Sequence, residues 1–460
     1  MKVLLSALFS YLVLPTMGFL MDDSSESCLP ECQCSSQSID CRDGNLSTVP
    51  SDQLLGITRP LSYLNLRRNR ISRLPNNVFN GLFSPRSYLD LSDNPIQIIE
   101  DHAFAGCENL ERLVLINTGL SQLPAALKEL KNLNFLSLEK NGLSHLDENV
   151  MLSLGFSLTG LTLNNNKFQK WPEAIRYLQL LQHLYLENNP IYSVPNGSFH
   201  TFRHSLENLY IGNTALRCLP DAMRELTTLA YLSISNNPLG DLGFQEGIFE
   251  SMKDTLISID MDNVSITTIP NAIKNLRKLE RLNLGNNAIL FLSERDLDKL
   301  TNLKTLLLNA CGLRRIPSAV TLLPSLSYMV LDDNPIVTLE TRDLIGMTDL
   351  ADLRMDNTSL RYVSPAAFHA TPNLQQIRMR NNLLQEIPIA LRAIILDNFL
   401  SGFSGIYKFE NNPIQCSCEM KWIKEWIGRR ATVTSVPLKG NCVNYMMSIE
   451  NFILTELAAC

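Results

Sequence analysis

One spacing of apolar residues recurs along most of this chain and limits its possible folds more than any other feature. The stretch "LKNLNFLSLEKNGLSHL" contains it from Leu133 to Leu146, in the form L-x-x-L-x-L-x-x-N-x-L. Fourteen copies follow one another at intervals of 23 to 27 residues, and their first positions are Leu61, Arg86, Leu110, Leu133, Leu158, Leu181, Leu206, Leu229, Leu256, Leu279, Leu303, Leu326, Leu350 and Leu374. A degenerate copy, "SGIYKFENNPI", begins at Ser404. The chain is therefore predicted to consist of stacked repeats.

Each copy is expected to form one short strand from its L-x-L core, with the leucines directed inward and the intervening residues outward. A single copy cannot bury its apolar side, so neighbouring copies must stack into a solenoid. The asparagine is predicted to bond backbone groups that would otherwise be buried and unpaired. In alternate copies this position holds Thr118, Thr214, Val264, Cys311 or Thr358. Most of those copies continue with a proline-led segment such as "LPAALKEL", which predicts a short helical turn on the outer side.

Cysteines cluster at both ends of the repeats. The clusters are Cys28, Cys32, Cys34 and Cys41 before the repeats, and Cys416, Cys418, Cys442 and Cys460 after them. Spacing alone leaves three pairings open for each set of four. Zinc binding is the competing interpretation, but an oxidising secretory route favours disulfides. Both clusters are predicted to cap the ends of the stack. In the C-terminal cap, the spacing of Trp422, Ile423, Trp426 and Ile427 predicts one apolar helix face that covers the final coil.

The repeats and the two cysteine clusters together resemble extracellular leucine-rich repeat proteins with cysteine caps, such as Slit, chondroadherin, the Nogo receptor and Toll ectodomains. The resemblance covers the chain from Cys28 to Cys460. It implies an α/β solenoid, a leucine-rich repeat horseshoe with a parallel inner β-sheet, short helices or loops on the convex face, and disulfide caps at both ends. The pairs that it implies are Cys28 with Cys34, Cys32 with Cys41, Cys416 with Cys442, and Cys418 with Cys460.

The first 18 residues have the pattern of a secretory signal peptide. Lys2 precedes an apolar run from Val3 to Leu14, shorter than the roughly 20 residues needed to span a membrane. We therefore expect a secreted, extracellular protein without a membrane span. The predicted organisation is a signal peptide at 1–18, an N-terminal cysteine cap at 28–60, repeats at 61–403, and a degenerate last repeat with a C-terminal cap at 404–460.

Charge and motifs argue against several functions. The net charge of −6 gives no global attraction to nucleic acid. The sequence contains no G-x-S-x-G, H-E-x-x-H or phosphate-loop motif, so we expect neither enzymatic activity nor a cofactor. His200 and His204 have metal-like spacing but fall in a connecting segment, and Asp260 and Asp262 favour a solvated acidic face over a calcium site. No metal site is predicted.

Three cysteines remain outside the clusters. Cys107 and Cys311 occupy repeat positions that predict burial. Cys218 occupies a position that is polar in other copies, so it is predicted to be exposed. An unpaired thiol and an intermolecular disulfide both remain open for Cys218.

The outward strand residues form the candidate binding surface. Its middle carries an aromatic and polar set, Phe135, His183, Tyr185, Tyr210 and Tyr231. Tyrosine is enriched at binding sites because it contributes contact area at low entropic cost, although strands also favour it for packing. We predict that this set contacts an extracellular protein ligand or receptor.

Four sequons predict glycans at Asn45, Asn196, Asn263 and Asn357. Two of them, Asn263 and Asn357, are expected at the rim of the strand face, where a glycan would obstruct the acidic stretch and favour a partner on earlier copies. The predicted function is a secreted recognition module in adhesion, guidance, matrix or immune recognition. The alternative is a structural matrix protein that self-associates, or that binds heparan sulfate through Lys421, Lys424, Arg429 and Arg430.

Overall fold

The computed structural model describes residues 30–51, 54, 59–394, 406–428, 438–458 and 460. The predicted signal peptide and Cys28 lie outside the described residues. The described residues form two compact units, divided between residues 161 and 162. Each unit is a run of leucine-rich coils, and the described coils contribute strands to parallel sheet.

The first unit contains a main sheet in which β2, β3, β5, β7 and β8 pair in parallel. An antiparallel pair, β1 with β2, precedes it, and β4 pairs in parallel with β6. The strands of this unit are β1 Gln33–Cys34, β2 Ser38–Asp40, β3 Leu61–Asn65, β4 Arg73–Leu74, β5 Phe83–Asp90, β6 Ile98–Ile99, β7 Leu110–Val114 and β8 Phe135–Ser137. The next strand, β9 Gly160–Thr162, spans the division at residue 161. Among the described helical elements of the first unit are the 3-10 helix Ala125–Glu129 and the α-helix α1 Glu148–Leu154.

The second unit continues the pattern with a parallel sheet of β10 to β16, β18 and β20 to β22. The strands of this sheet are β10 His183–Tyr185, β11 Asn208–Tyr210, β12 Tyr231–Ser233, β13 Ser258–Asp260, β14 Arg281–Asn283, β15 Thr305–Leu307, β16 Tyr328–Val330, β18 Asp352–Arg354, β20 Gln376–Arg378, β21 Ile406–Lys408 and β22 Leu438–Lys439. The short strands are β17 Thr338–Leu339, β19 Tyr362–Val363, β23 Asn441–Cys442 and β24 Met447–Ser448.

In most of the proline-led segments, a 3-10 helix begins directly after the proline, as predicted. In the second unit these 3-10 helices are Glu173–Tyr177, Asp221–Glu225, Ser318–Leu322 and Ile389–Ala393. The other 3-10 helices there are His200–Phe202, Asp241–Gly243, Glu250–Met252, Glu294–Asp296, Cys418–Met420 and Glu456–Ala458. The α-helices are α2 Lys421–Gly428 and α3 Ile449–Leu454.

The core of the second unit follows from strand register. Leu184, Leu209 and Leu232 lie side by side at the centres of β10, β11 and β12 and are at most 2% exposed. Burying a leucine side chain contributes roughly 1.5–3 kcal/mol, and each coil adds several. Because no coil buries its apolar side alone, the stack itself creates the core.

The repeated asparagine joins coils in pairs. Asn237 is 1% exposed, and its Nδ2 donates to the carbonyl oxygens of Ile211 and Ile234 at 2.8 and 2.9 Å. Its Oδ1 accepts hydrogen bonds from the backbone nitrogen and hydroxyl of Thr214 at 3.1 and 2.6 Å. The threonine-type coil is thus bonded to the asparagine-type coil that follows. The same arrangement joins Thr118 to Asn141 and Thr358 to Asn382.

Disulfides lie in both predicted caps. The structure pairs Cys32 with Cys41, Cys416 with Cys442 and Cys418 with Cys460. Cys34 is also disulfide-bonded, and the partner implied for it, Cys28, lies outside the described residues.

Helix α2 covers the last repeat. Ile423 and Trp426 on this helix are buried. The Trp426 Nε1 donates to the Ile394 carbonyl oxygen at 3.3 Å, and the Trp426 ring centroid lies 5.5 Å from that of Tyr407 on β21. The helix therefore shields an apolar end of the stack, as the tryptophan spacing predicted.

Candidate functional site

Three neighbouring strands carry four of the five predicted contact residues. His183 and Tyr185 lie on β10, Tyr210 on β11 and Tyr231 on β12. They alternate with the buried leucines at the strand centres, and register places Tyr185 directly beside Tyr210. We call these four residues the aromatic face.

The aromatic face is a packed layer in which most of the outward side chains are buried against one another. His183 and Tyr185 are 4% exposed and Tyr210 is 9% exposed, whereas Tyr231 is half-buried. Parallel strands lie about 4.8 Å apart, so large side chains at matched positions stack on each other. The rings of Tyr185 and Tyr210 stack with their centroids 4.8 Å apart. Tyr231 therefore offers the most accessible ring of the four.

A polar group beside the aromatic face was missed from the sequence. A Cβ atom at Gly212 would lie 2.8 Å from Ser235 Oγ and 3.2 Å from Glu187 Oε1. Ser233 Oγ donates to the same Glu187 oxygen at 3.4 Å. The glycine thus leaves room for side chains of the two flanking coils to meet across β11. The available signal was the outward position two residues beyond each strand, which holds Glu187, Gly212 and Ser235 in successive copies.

Burial shifts the pKa of two residues of the aromatic face, Tyr210 and His183. Burial raises the pKa of Tyr210, and the nearby Tyr185 and Glu187 act in the same direction. Burial lowers the pKa of His183, so its imidazole is neutral at pH 7. These side chains therefore present neutral hydrogen-bonding groups, and carboxylates such as that of Glu187 supply negative charge.

Phe135, the fifth predicted residue, belongs to the first unit. Its ring is 8% exposed and lies 5.1 Å from the guanidinium carbon of Arg112, a cation–π contact. A Cβ atom at Gly160 would lie 2.6 Å from the Phe135 Cδ2, so the ring occupies space that only glycine leaves open. Phe135 is thus fixed by neighbours within its own unit.

The acidic pair predicted to be solvated is half-buried. Asp260 Oδ1 accepts hydrogen bonds from Asn283 Nδ2 at 2.7 Å and from the backbone nitrogen of Asp262 at 3.2 Å. Burial raises the pKa of both aspartates. The outward direction was right, but Ser233 and Asn283 flank Asp260 on the adjacent strands and its hydrogen bonds hold it within the sheet surface, which limits its access to water.

Farther along the same sheet, charged side chains bond to one another. Asp332 Oδ1 accepts from the Asp356 backbone nitrogen at 2.7 Å, and burial raises the pKa of Asp332 to about 6. The Arg380 Nε donates to Asp356 Oδ2 at 2.9 Å. Arg354 lies over the Tyr328 ring, 4.7 Å from its centroid. This stretch satisfies much of its charge internally.

The two histidines with metal-like spacing surround an arginine. Arg203 Nη1 lies 3.1 Å from His200 Nδ1, and Arg203 Nε donates to His204 Nε2 at 3.0 Å. A guanidinium cation between the rings opposes a shared metal ion. Among the described residues, no group of three potential ligands is placed to hold a metal.

All four predicted glycosylation asparagines are exposed. Asn263 and Asn357 have positive φ angles of 52° and 57° where the backbone turns after the strand. Their Nδ2 atoms donate to Asn236 Oδ1 at 3.0 Å and Asp333 Oδ1 at 2.6 Å. Asparagine tolerates this left-handed conformation better than most residues. The fold therefore gives these two asparagines a structural role, and glycosylation of all four sites remains a prediction.

The three cysteines outside the caps differ in exposure. Cys218 is exposed, as predicted, while Cys107 and Cys311 are buried. Burial raises the pKa of the Cys107 thiol to about 12 and that of the Cys311 thiol to about 11.

Two of the predicted heparan sulfate residues lie on helix α2. Lys421 Nζ donates to the Cys460 carbonyl oxygen, and Lys424 is exposed.

The remaining predicted heparan sulfate residues, Arg429 and Arg430, lie outside the described part of the chain. In the described ranges, no helix has both the length and the apolar character needed to cross a membrane.

Comparison with known families gives a consistent result. The leucine rich repeat family matches residues 86–143, 180–239, 254–313 and 318–388, which together make up more than half of the chain. The leucine rich repeat N-terminal domain matches residues 27–52, where the first four cysteines lie. No curated protein matches the chain.

Solved structures share the fold at low sequence identity. A leucine-rich repeat protein of Leptospira interrogans is 23% identical with a TM-score of 0.60, and the match covers 84% of this chain and 100% of that chain. A chain of the Drosophila Toll–Spätzle complex is 16% identical with a TM-score of 0.59, and the match covers 89% of this chain and 69% of that chain. A chain of the TLR13 complex with a single-stranded RNA is 18% identical with a TM-score of 0.54, and the match covers 85% of this chain and 65% of that chain. The predicted α/β solenoid is thus confirmed, and the chain belongs to the leucine-rich repeat family, with cysteine caps.

Proposed function

We propose that this chain is a secreted recognition module that binds an extracellular protein through the aromatic face of its second unit. The observation that carries the proposal is the ordered stacking of Tyr185 on Tyr210 beside the half-exposed Tyr231. Side chains that are already fixed lose little conformational entropy on binding. Membership of a family of interaction scaffolds supports a binding role without enzymatic activity.

The proposed contact consists of the Tyr231 ring, the accessible edges of His183, Tyr185 and Tyr210, and the Glu187 carboxylate. Phe135 is proposed as a separate contact on the first unit. Because Tyr185 and Tyr210 are buried, replacing either would disturb packing as well as binding. Tyr231 and Glu187 are therefore the positions at which binding can be tested cleanly.

A protein partner is favoured over nucleic acid. The similar structures include both kinds of complex, Toll with Spätzle and TLR13 with RNA. This chain has a net charge of −6, and Glu187, Asp260 and Asp262 add carboxylates to the sheet near the aromatic face. RNA phosphates would be repelled by such a surface. Extracellular location is supported by the N-terminal cap and the disulfides.

The experiment is a binding screen of the glycosylated chain against extracellular proteins, followed by affinity measurements on variants. Tyr231→Ala should weaken a partner at least tenfold, and Glu187→Gln should weaken it less. Tyr328→Ala is the matched control, because Tyr328 is also half-buried and begins its strand in the same way.

Equal weakening by Tyr231→Ala and Tyr328→Ala would contradict the proposed site. If the screen yields only a concentration-dependent increase in mass, the chain self-associates and the matrix alternative replaces the recognition module.

A further inference from the structure

Two adjacent apolar side chains of the second unit are exposed to solvent instead of being packed in the core. Leu290 is 69% exposed and Phe291 is 74% exposed. The corresponding positions are polar in the preceding copy, at 267–268, and in the following copy, at 314–315. Large apolar side chains that packing leaves in water mark interaction sites when they lie together. The pair is therefore a candidate contact surface.

Phe291 also lines a groove. The groove has a volume of about 690 Å³. Its apolar lining includes half-buried Phe244, buried Ile269 and Pro270. Leu242, which is 96% exposed, immediately follows the groove residue Asp241. Apolar surface is thus available inside the groove, and a further exposed apolar side chain lies next to it in the sequence.

The polar lining of the groove is negatively charged. Its carboxylates belong to Asp241, Glu246 and Asp296, and its one ammonium group to Lys274, which leaves a net charge of −2. Lys274 Nζ pairs with Asp296 Oδ1 at 2.9 Å, so that cation is already engaged. Glu246 is exposed, and Lys274 is the only cationic residue among those that line the groove.

We propose that this groove, called the flank groove, binds a segment of a partner protein that carries an apolar side chain next to lysine or arginine. Phe291 lines the flank groove, and the exposed Leu242 and Leu290 are sequence neighbours of its lining residues Asp241 and Phe291. The apolar side chain would pack against Phe244 and Phe291, and the cation would face Glu246. Charge complementarity favours such a segment over an acidic one. A second copy of this chain is disfavoured because each copy carries a net charge of −6. The flank groove uses none of the aromatic face, so it does not depend on the proposed function.

A displayed library of random peptides tests the proposal. Peptides are selected on the intact glycosylated chain and depleted on the double variant Leu290→Ser/Phe291→Ser. We expect enrichment of sequences with an apolar residue beside lysine or arginine. An enriched peptide should bind the double variant at least tenfold more weakly, bind Glu246→Gln about threefold more weakly, and lose affinity in high salt.

The matched control is Phe156→Ser, because Phe156 in the first unit is 71% exposed. This variant and Tyr231→Ala should bind the peptide as the unmodified chain does, which separates the flank groove from the aromatic face. Thermal unfolding checks that the double variant is folded, as expected for exposed positions. Failure to enrich any sequence, enrichment without basic residues, or equal binding by the double variant would overturn the proposal. Self-association lost in the double variant would also overturn it, in favour of a second copy.

Discussion

Replacing Asn237 by alanine should destabilise the second unit by removing the link between two coils. The Thr214 backbone nitrogen and the Ile234 carbonyl oxygen would each lose this partner, while the Ile211 carbonyl oxygen keeps the Thr214 hydroxyl at 3.2 Å. A buried backbone group left without a partner costs about 1–3 kcal/mol. The two groups together predict a loss of about 2–6 kcal/mol.

The assay is native-state hydrogen exchange, because a stack of coils need not unfold in one step. Amides of the coils carrying β11 and β12 should exchange at least about 30-fold faster, the factor that corresponds to about 2 kcal/mol. The control is Asn213→Gly, because Asn213 is exposed, has a φ of 48° that glycine accepts, and donates a side-chain hydrogen bond to exposed Asn188 at 2.6 Å. If Asn237→Ala accelerates exchange no more than this control, the asparagine link does not stabilise the stack.

Three further predictions concern the cap, pH and thiols. Removing the Cys418–Cys460 disulfide, with a separation of 42 residues, should cost about 4 kcal/mol by loop entropy, and an unchanged denaturation midpoint would contradict this. Because burial raises the pKa of Asp332 to about 6, the folded state binds this proton more tightly than the unfolded state does. The resulting stability is present below about pH 4 and is lost as the pH rises through about 6. Asp332→Asn should therefore flatten the pH dependence of the free energy of unfolding in that window. Of the three free thiols in the described residues, only that of Cys218 should react rapidly with Ellman's reagent, and Cys218→Ser should abolish the fast phase.

The repeat spacing predicted strands, core and helical turns because each depends on residues close together in the sequence. An L-x-L segment places alternate side chains on one side wherever it forms a strand, so Leu184 and Leu209 could be assigned inward directly. The cap helix was equally readable from Trp426 and Ile423. The role of the asparagine followed from the cost of unpaired backbone groups.

The candidate site was less predictable because its properties depend on neighbours one or two copies away. An outward tyrosine is accessible only if the matched positions on adjacent strands are small, and Tyr185 faces Tyr210 at 4.8 Å. Gly212 has the opposite effect, because it admits Glu187 and Ser235 from either side. Asp260 lost solvation in the same way, beside Asn283. Aligning the copies by register, and comparing side-chain size across them, would have revealed these differences.

A glycan placed on the aromatic face tests the central claim most directly. Tyr231→Asn creates the sequon N-L-S with Ser233, so one substitution puts a bulky group on β12. The control, Tyr328→Asn with Val330→Thr, places a glycan at the matching position of β16. Affinity for the partner is measured for each glycosylated variant, with glycan attachment verified by mass. The proposed site predicts at least 100-fold weaker binding for the β12 glycan and little change for the β16 glycan; undiminished binding with the β12 glycan in place would contradict it.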